Sequence, residues 1–301
     1  MSIFDIFKKR EEEHVSSELT DAIKALKKNE IVMIPKVGKR IARASESKIG
    51  GEPYLPADFV WPTYTDSENV TRPLSFFCQI HISDVKKYDK DGLLPERGML
   101  YFFYECESFS WGYDPEDRGA AQVFYVDTTD ALGCVPTEIP EDIDEGYVIP
   151  EIPLEFKART SYPSFEEFDA LSGFDIDFEE YYRALRALGI DKEEDSDEDI
   201  EEHKLLGYAD VIQNEMLTEC ERTHRGLYSG DPESYRDTPE DEEADIAEHA
   251  KDWMLLLQLS SIETDDFEFM FGDCGMLYFY IKREDLAAMR FDRIEFSVQC
   301  Y

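Results

Sequence analysis

The chain has 301 residues, enough for one large domain or two small ones, and its 42% hydrophobic content can build a sizeable core. Only 31 lysines and arginines stand against 69 acids, a net charge of −38. That balance repels nucleic acid and anionic membrane and attracts cationic partners, although solubility alone would also account for it.

At the start, Met1-Ser2-Ile3-Phe4-Asp5-Ile6-Phe7-Lys8-Lys9-Arg10 puts its basic charges after a very short apolar run. That is the wrong order and length for a secretory signal. No stretch approaches the ~20 apolar residues of a membrane helix. The six cysteines are scattered and Cys78 lies in an apolar strand, which reads as reduced thiols in a cytosol. The expected location is therefore cytoplasmic. Without a signal, the sequon Asn69-Val70-Thr71 carries no weight.

Residues 18–28 read as a helix, with Leu19, Ala22, Ile23 and Leu26 on one face. A short strand, Ile31 to Ile34, follows. From Ser45 to Pro62 the prolines Pro53, Pro56 and Pro62 argue for an ordered loop carrying Tyr54, Phe59 and Trp61. Strands are expected around Cys78, Leu100 and Val123, with a turn at Trp111-Gly112-Tyr113-Asp114-Pro115. Shorter extended stretches lie around Ile139 and Ile149. Ser164-Phe165-Glu166-Glu167 has capping-box spacing before a helix. Phe178 to Leu188 reads as a second helix, stopped by Gly189. Asp191 to Glu202 is almost wholly acidic and reads as a solvated run. At Thr238-Pro239-Glu240-Asp241 a third helix should start, with Thr238 as its cap. Lys282-Arg283-Glu284-Asp285-Leu286 begins a helical turn, and Ile294 to Cys300 alternates as a last strand.

One string occurs twice, as Gly98-Met99-Leu100-Tyr101-Phe102 and as Gly275-Met276-Leu277-Tyr278-Phe279. Before each copy lies a strand with a single glutamine, Gln79 in the first and Gln258 in the second. Taken at strand period, one face carries Leu74, Phe76, Cys78 and Ile80, matched by Trp253, Leu255, Leu257 and Leu259. The other carries Ser75, Phe77, Gln79 and His81, matched by Met254, Leu256, Gln258 and Ser260. Further back, Ser47-Lys48-Ile49-Gly50-Gly51 matches His203-Lys204-Leu205-Leu206-Gly207. The expected architecture is a single α+β domain, 1–301, whose antiparallel β-sheet core arises by internal duplication, with helices packed outside. Its pseudo-repeats would cover about 31–160 and 203–301, with helical or acidic insertions at 163–202 and 214–250.

Chemistry is harder to find. No two His lie within one helical turn and no Cys-x-x-Cys exists, so no metal site is assigned to His224 or His249. The acids Asp265, Asp266, Glu268 and Asp273 lack calcium-loop spacing. Ser45-Glu46-Ser47-Lys48 matches a Ser-x-x-Lys nucleophile pattern without its companion motifs. No phosphate-binding glycine loop is present, no cofactor is implied, and basic residues are too sparse for nucleic-acid binding. The candidates for ligand or partner contact are Gln79, Gln258, Gly50, Gly51, Trp61 and Trp111. A buried glutamine equally serves to hydrogen-bond backbone from a nearby loop or the other half.

The strings Ser47-Lys48-Ile49-Gly50-Gly51, Pro73-Leu74-Ser75-Phe76-Phe77-Cys78-Gln79-Ile80, Gly98-Met99-Leu100-Tyr101-Phe102-Phe103, Phe271-Gly272-Asp273-x-Gly275-Met276 and Gln299-Cys300-Tyr301 together resemble bacterial YwqG-like proteins. The resemblance covers roughly residue 20 to the end. It implies a cytoplasmic bacterial protein of unknown function, with no catalytic residues to carry over and some relatives beside toxin–immunity genes. Two functions are therefore expected as alternatives. One is a non-catalytic binding protein, such as an immunity-type inhibitor of a basic toxin. The other is an enzyme or small-ligand binder using a cleft between the halves.

Overall fold

The computed structural model describes residues 15–41, 43–127, 133–190 and 203–301. The acidic run Asp191 to Glu202 and the first ten residues lie outside these. Helix α1 (Ser17–Ala25) is capped by Ser16, whose side chain accepts from the Leu19 amide, and buries Leu19 and Ile23. Strand β1 (Lys28–Pro35) follows, then β2 (Lys48–Ile49), β3 (Tyr54–Pro56), β4 (Thr63–Thr65), β5 (Thr71–Pro73), β6 (Ser75–His81) and the short helix α2 (Ile82–Val85). Next come β7 (Met99–Tyr104), β8 (Ala121–Val126), β9 (Cys134–Pro136) and β10 (Ile152–Ser161). Helices α3 (Phe165–Ser172) and α4 (Phe178–Ala187) precede β11 (His203–Leu206). Helices α5 (Leu217–His224), α6 (Pro232–Arg236) and α7 (Glu240–Ala250) precede β12 (Trp253–Ser260). The chain ends with β13 (Ile262–Thr264), β14 (Phe267–Phe269), β15 (Met276–Lys282), α8 (Arg283–Ala287) and β16 (Glu295–Gln299).

Ten strands form one sheet in the order β16-β15-β12-β11-β1-β10-β2-β6-β7-β8, and every pairing is antiparallel. The order reads the same from either end. β11, β12, β15 and β16 answer to β2, β6, β7 and β8, and both copies of the repeated string lie in strands. β1 and β10 pair at the centre over eight residues, Lys28↔Ser161 to Pro35↔Leu154. The halves interleave there: β1, first in the chain, pairs with β11, whereas β10 pairs with β2. The chain is thus α+β on an antiparallel core with its helices outside.

The two copies share a defect. Register slips between Phe76 and Cys78 on β6, and between Leu255 and Leu257 on β12. One extra residue in each strand, Phe77 or Leu256, resets the alternation. The strict face assignment made from period two is therefore wrong beyond this point. Phe76 and Cys78 oppose neighbouring residues, Phe103 and Phe102, and so lie on opposite faces. In the second copy Leu255 joins a cluster with α5 and α7, while Leu256, Leu257 and Leu259 all join the central core.

That central core shows that the sheet curls on itself. Phe102 of β7 meets Phe279 of β15 edge-on at 5.2 Å, although six strands lie between them in the sheet. Closure continues at the edges. The Val298 amide donates to the Trp111 carbonyl at 2.9 Å, and the Tyr125 ring lies 5.6 Å from Phe291. Outside, Trp253, Tyr278 and Tyr280 pack under Leu217, Cys220 and Ala250. A third cluster joins Leu19 and Ile23 to Phe168, Tyr181 and Leu185.

Three local expectations need correction. Thr238 does not cap α7: Pro239 holds that position, and the Thr238 hydroxyl donates to the Ser234 carbonyl at 3.0 Å. The proline-rich stretch is not loop throughout, because Tyr54-Leu55-Pro56 pairs with Cys134-Val135-Pro136 as a short edge ladder, where proline is tolerated. Neither Ile139 nor Ile149 lies in a strand, and the long strand β10 begins only at Ile152.

Candidate functional site

The matching strings around Lys48 and Lys204 build two similar polar brackets, one per half. In the first, Lys48 on β2 opposes Gln79 on β6, which opposes Tyr101 on β7. Gln79 is fully buried. Its Oε1 accepts from the Tyr54 amide at 2.8 Å, and its Nε2 donates to the Ala44 and Glu46 carbonyls at 2.9 and 2.7 Å. The Tyr101 hydroxyl donates to the Tyr54 carbonyl at 2.5 Å. Lys48, 1% exposed, donates to the Glu52 carbonyl and to Glu151 Oε2, each at 2.7 Å.

In the second bracket Lys204 opposes Gln258, which opposes Tyr278. The Asp210 amide donates to Gln258 Oε1 at 2.9 Å, and the Tyr278 hydroxyl donates to the Asp210 carbonyl at 2.6 Å. Asp210 thus stands where Tyr54 stands in the first, and it adds a carboxylate. Gln258 Nε2 donates to Asp210 Oδ2 at 2.7 Å. Lys204, also 1% exposed, lies 2.7 Å from that oxygen and 3.6 Å from Glu30 Oε2. Glu30 is bonded in turn by Arg159.

Glycine lets the two carboxylates reach these lysines. Gly51 (φ +67°) and Gly207 (φ +80°) each follow their lysine by three residues in a left-handed turn. A β-carbon would lie 2.7 Å from Glu151 Cβ at the first and 2.6 Å from Glu30 Cβ at the second. Gly50 turns left-handed as well, and its counterpart Leu206 does so without glycine's freedom, at φ 61°. Each lysine stem is enclosed and each ammonium is paired, as a buried charge requires.

The six candidates do not converge on one cleft. Gly50, Gly51 and Gln79 belong to the first bracket and Gln258 to the second, and four strands separate β6 from β12. The Trp61 indole donates to the Leu74 carbonyl at 2.9 Å and packs edge-on to Phe103 at 5.4 Å, pinning its loop. Trp111 packs against Phe109 at 5.1 Å and lines a surface groove. A separate opening of about 500 Å³ lies over the second bracket, with Glu30, Arg159, Lys204 and Asp210 in its lining.

The histidines outside the brackets have partners too. His224 Nδ1 lies 3.0 Å from Glu295 Oε1, and His249 Nδ1 lies 2.8 Å from the Asp245 carbonyl. His203 accepts from the Ser260 amide at 3.1 Å, and burial lowers its pKa from 6.5 to about 4. Burial likewise raises the Glu219 carboxyl to about 7. Among the described residues no group of three or more His, Cys, Asp or Glu is placed to hold a metal ion. Ser47 of the Ser-x-x-Lys string donates to Asp84 at 2.8 Å. No helix among the described residues is long and apolar enough to cross a membrane.

Comparison with known families extends this picture. The model of a domain of unknown function, DUF1963, matches residues 47–300. The chain belongs to the DUF1963 family. No curated protein matches it. The DUF1963 region contains β2 to β16 but not β1, so Glu30 reaches the second bracket from outside it. Sequence reading found the glutamines but missed the lysines, tyrosines and carboxylates around them. The lysines were legible as the shared letter three before Gly51 and Gly207. Glu30 and Glu151 were not, because Glu30 lies on β1 and Glu151 just before β10, both outside the repeated strings.

Proposed function

We propose that this DUF1963 protein is a non-catalytic binding protein that engages a basic protein partner through its acidic surface. The observation that carries the reading is how the buried polar groups are used. In both brackets lysine, glutamine and tyrosine are bonded to the protein's own loops and carboxylates. These groups hold loops in place, and the surplus of acids over bases is left to the surface. A charge of −38 steers a cationic partner and selects it over neutral ones.

The resemblance to YwqG-like proteins supports a cytoplasmic bacterial setting, in which an immunity-type inhibitor of a basic toxin fits the same chemistry. Within it, residues 31–160 and 203–301 are the two repeats of one unit, and 163–202 and 214–250 are its insertions. The opening over Lys204 favours the second reading, a small-ligand site.

Association kinetics separate the two. Against a panel of basic proteins and a neutral protein of equal size, the on-rate for a basic partner should fall steeply between low and physiological ionic strength. An on-rate unchanged across that range would leave the charge as a solubility feature.

A further inference from the structure

One groove turns its chemistry outward. It encloses about 450 Å³ between the β4–β5 hairpin and the loop after β7, walled by the rings of Tyr64, Trp111 and Tyr113. Asp66, Glu68, Asp114, Glu116 and Asp117 also line it, against a single guanidinium, that of Arg72. Arg72 is already bonded to Asp66 and Glu107. Glu68 and Glu116 are exposed and have no ion pair among the described residues.

The walls are held before anything binds. Trp111 is fixed by Phe109 and by the bond from Val298 to its carbonyl. Tyr113 packs edge-on to Tyr228 at 5.7 Å. Asp117 accepts from the Gly112 amide at 3.0 Å, and Asp114 accepts from the Glu116 amide at 2.9 Å. A site built on such parts orders little on binding. The loop that carries it joins β7 to β8; in the other half α8 joins β15 to β16, so the groove has no twin.

We propose that this groove receives an arginine side chain of the basic partner, an inference that rests on the function proposed above. Aromatic rings and carboxylates lining one groove suit a planar guanidinium, which stacks on a ring while its edge donates to the acids. An ammonium meets the same charge without the stacking or the fork.

The test uses hexa-arginine and hexa-lysine peptides of equal charge, titrated into the full chain at low ionic strength. Hexa-arginine should bind about tenfold more tightly. Trp111→Leu should remove that preference and leave hexa-lysine binding unchanged. Because Trp111 is partly packed, Glu68→Gln/Glu116→Gln provides a second variant at exposed positions and should weaken hexa-arginine more than hexa-lysine. Glu240→Gln/Glu242→Gln on α7 should weaken both peptides alike. Equal binding of the two peptides, or a preference that survives both groove variants, overturns the groove and leaves the acidic-surface reading standing. If neither peptide binds, both readings are overturned.

Discussion

Gln79 commits its whole amide to backbone on either side of β2, accepting from Tyr54 and donating to Ala44 and Glu46. Gln79→Ala leaves an amide and two carbonyls without partners where water is excluded. It should cost about 1–3 kcal/mol, read as a lower urea midpoint at unchanged slope. His203 gives a pH signature. Its folded pKa, about 4, lies below the ordinary 6.5 because burial disfavours the imidazolium. Its contribution is therefore fully present above pH 6.5 and is lost as pH falls through 4. Protonation also removes the acceptor for the Ser260 amide. His203→Gln keeps an acceptor and does not titrate. The native chain should lose up to about 3 kcal/mol more than this variant between pH 6.5 and 4. Parallel stability profiles for the two proteins would rule this out.

Elements are bounded by the same local chemistry. Ser164 and Glu167 close a reciprocal capping box on α3, and Gly173 ends the helix at φ +67°. Ser164→Ala should destabilise by about 1 kcal/mol in chemical denaturation. Thr238→Ala removes no cap, since that hydroxyl bonds Ser234 and accepts from Arg222. The strands depend on their bulges. Removing Phe77 would restore strict alternation and exchange the faces of the residues before it, including Ser75 and Phe76. A deletion of Phe77 should fail to give a cooperative unfolding transition, whereas Phe77→Leu should unfold cooperatively.

Across the whole molecule, self-repulsion at −38 is set against the core. Exposed charges are screened over ~8 Å at physiological salt, and the compact state gains more from screening than the expanded chain. Sodium chloride should therefore raise the melting temperature, while a neutral solute at equal osmolality does not reproduce the gain at low concentration. A melting temperature that falls as sodium chloride is added would mean that the ion pairs outweigh the repulsion.

Local pattern determined much of this protein. The duplicated strings, the two glutamines at nearly equal distances before them, the box at Ser164 and the alternation of the last strand all depend on residues close in the chain. The bulges were hidden because an inserted Phe77 or Leu256 is as apolar as its neighbours, and period alone does not mark it. Thr238 read as a cap because capping is a local rule, but its hydroxyl bonds backward to Ser234. Tertiary structure alone decided that β1 and β10 sit between the halves, bringing Glu30 to Lys204 and Glu151 to Lys48. Those pairs join residues 174 and 103 positions apart, counted from their numbers. A buried lysine needs an anion in space, and nothing in the neighbouring sequence specifies which strand supplies it.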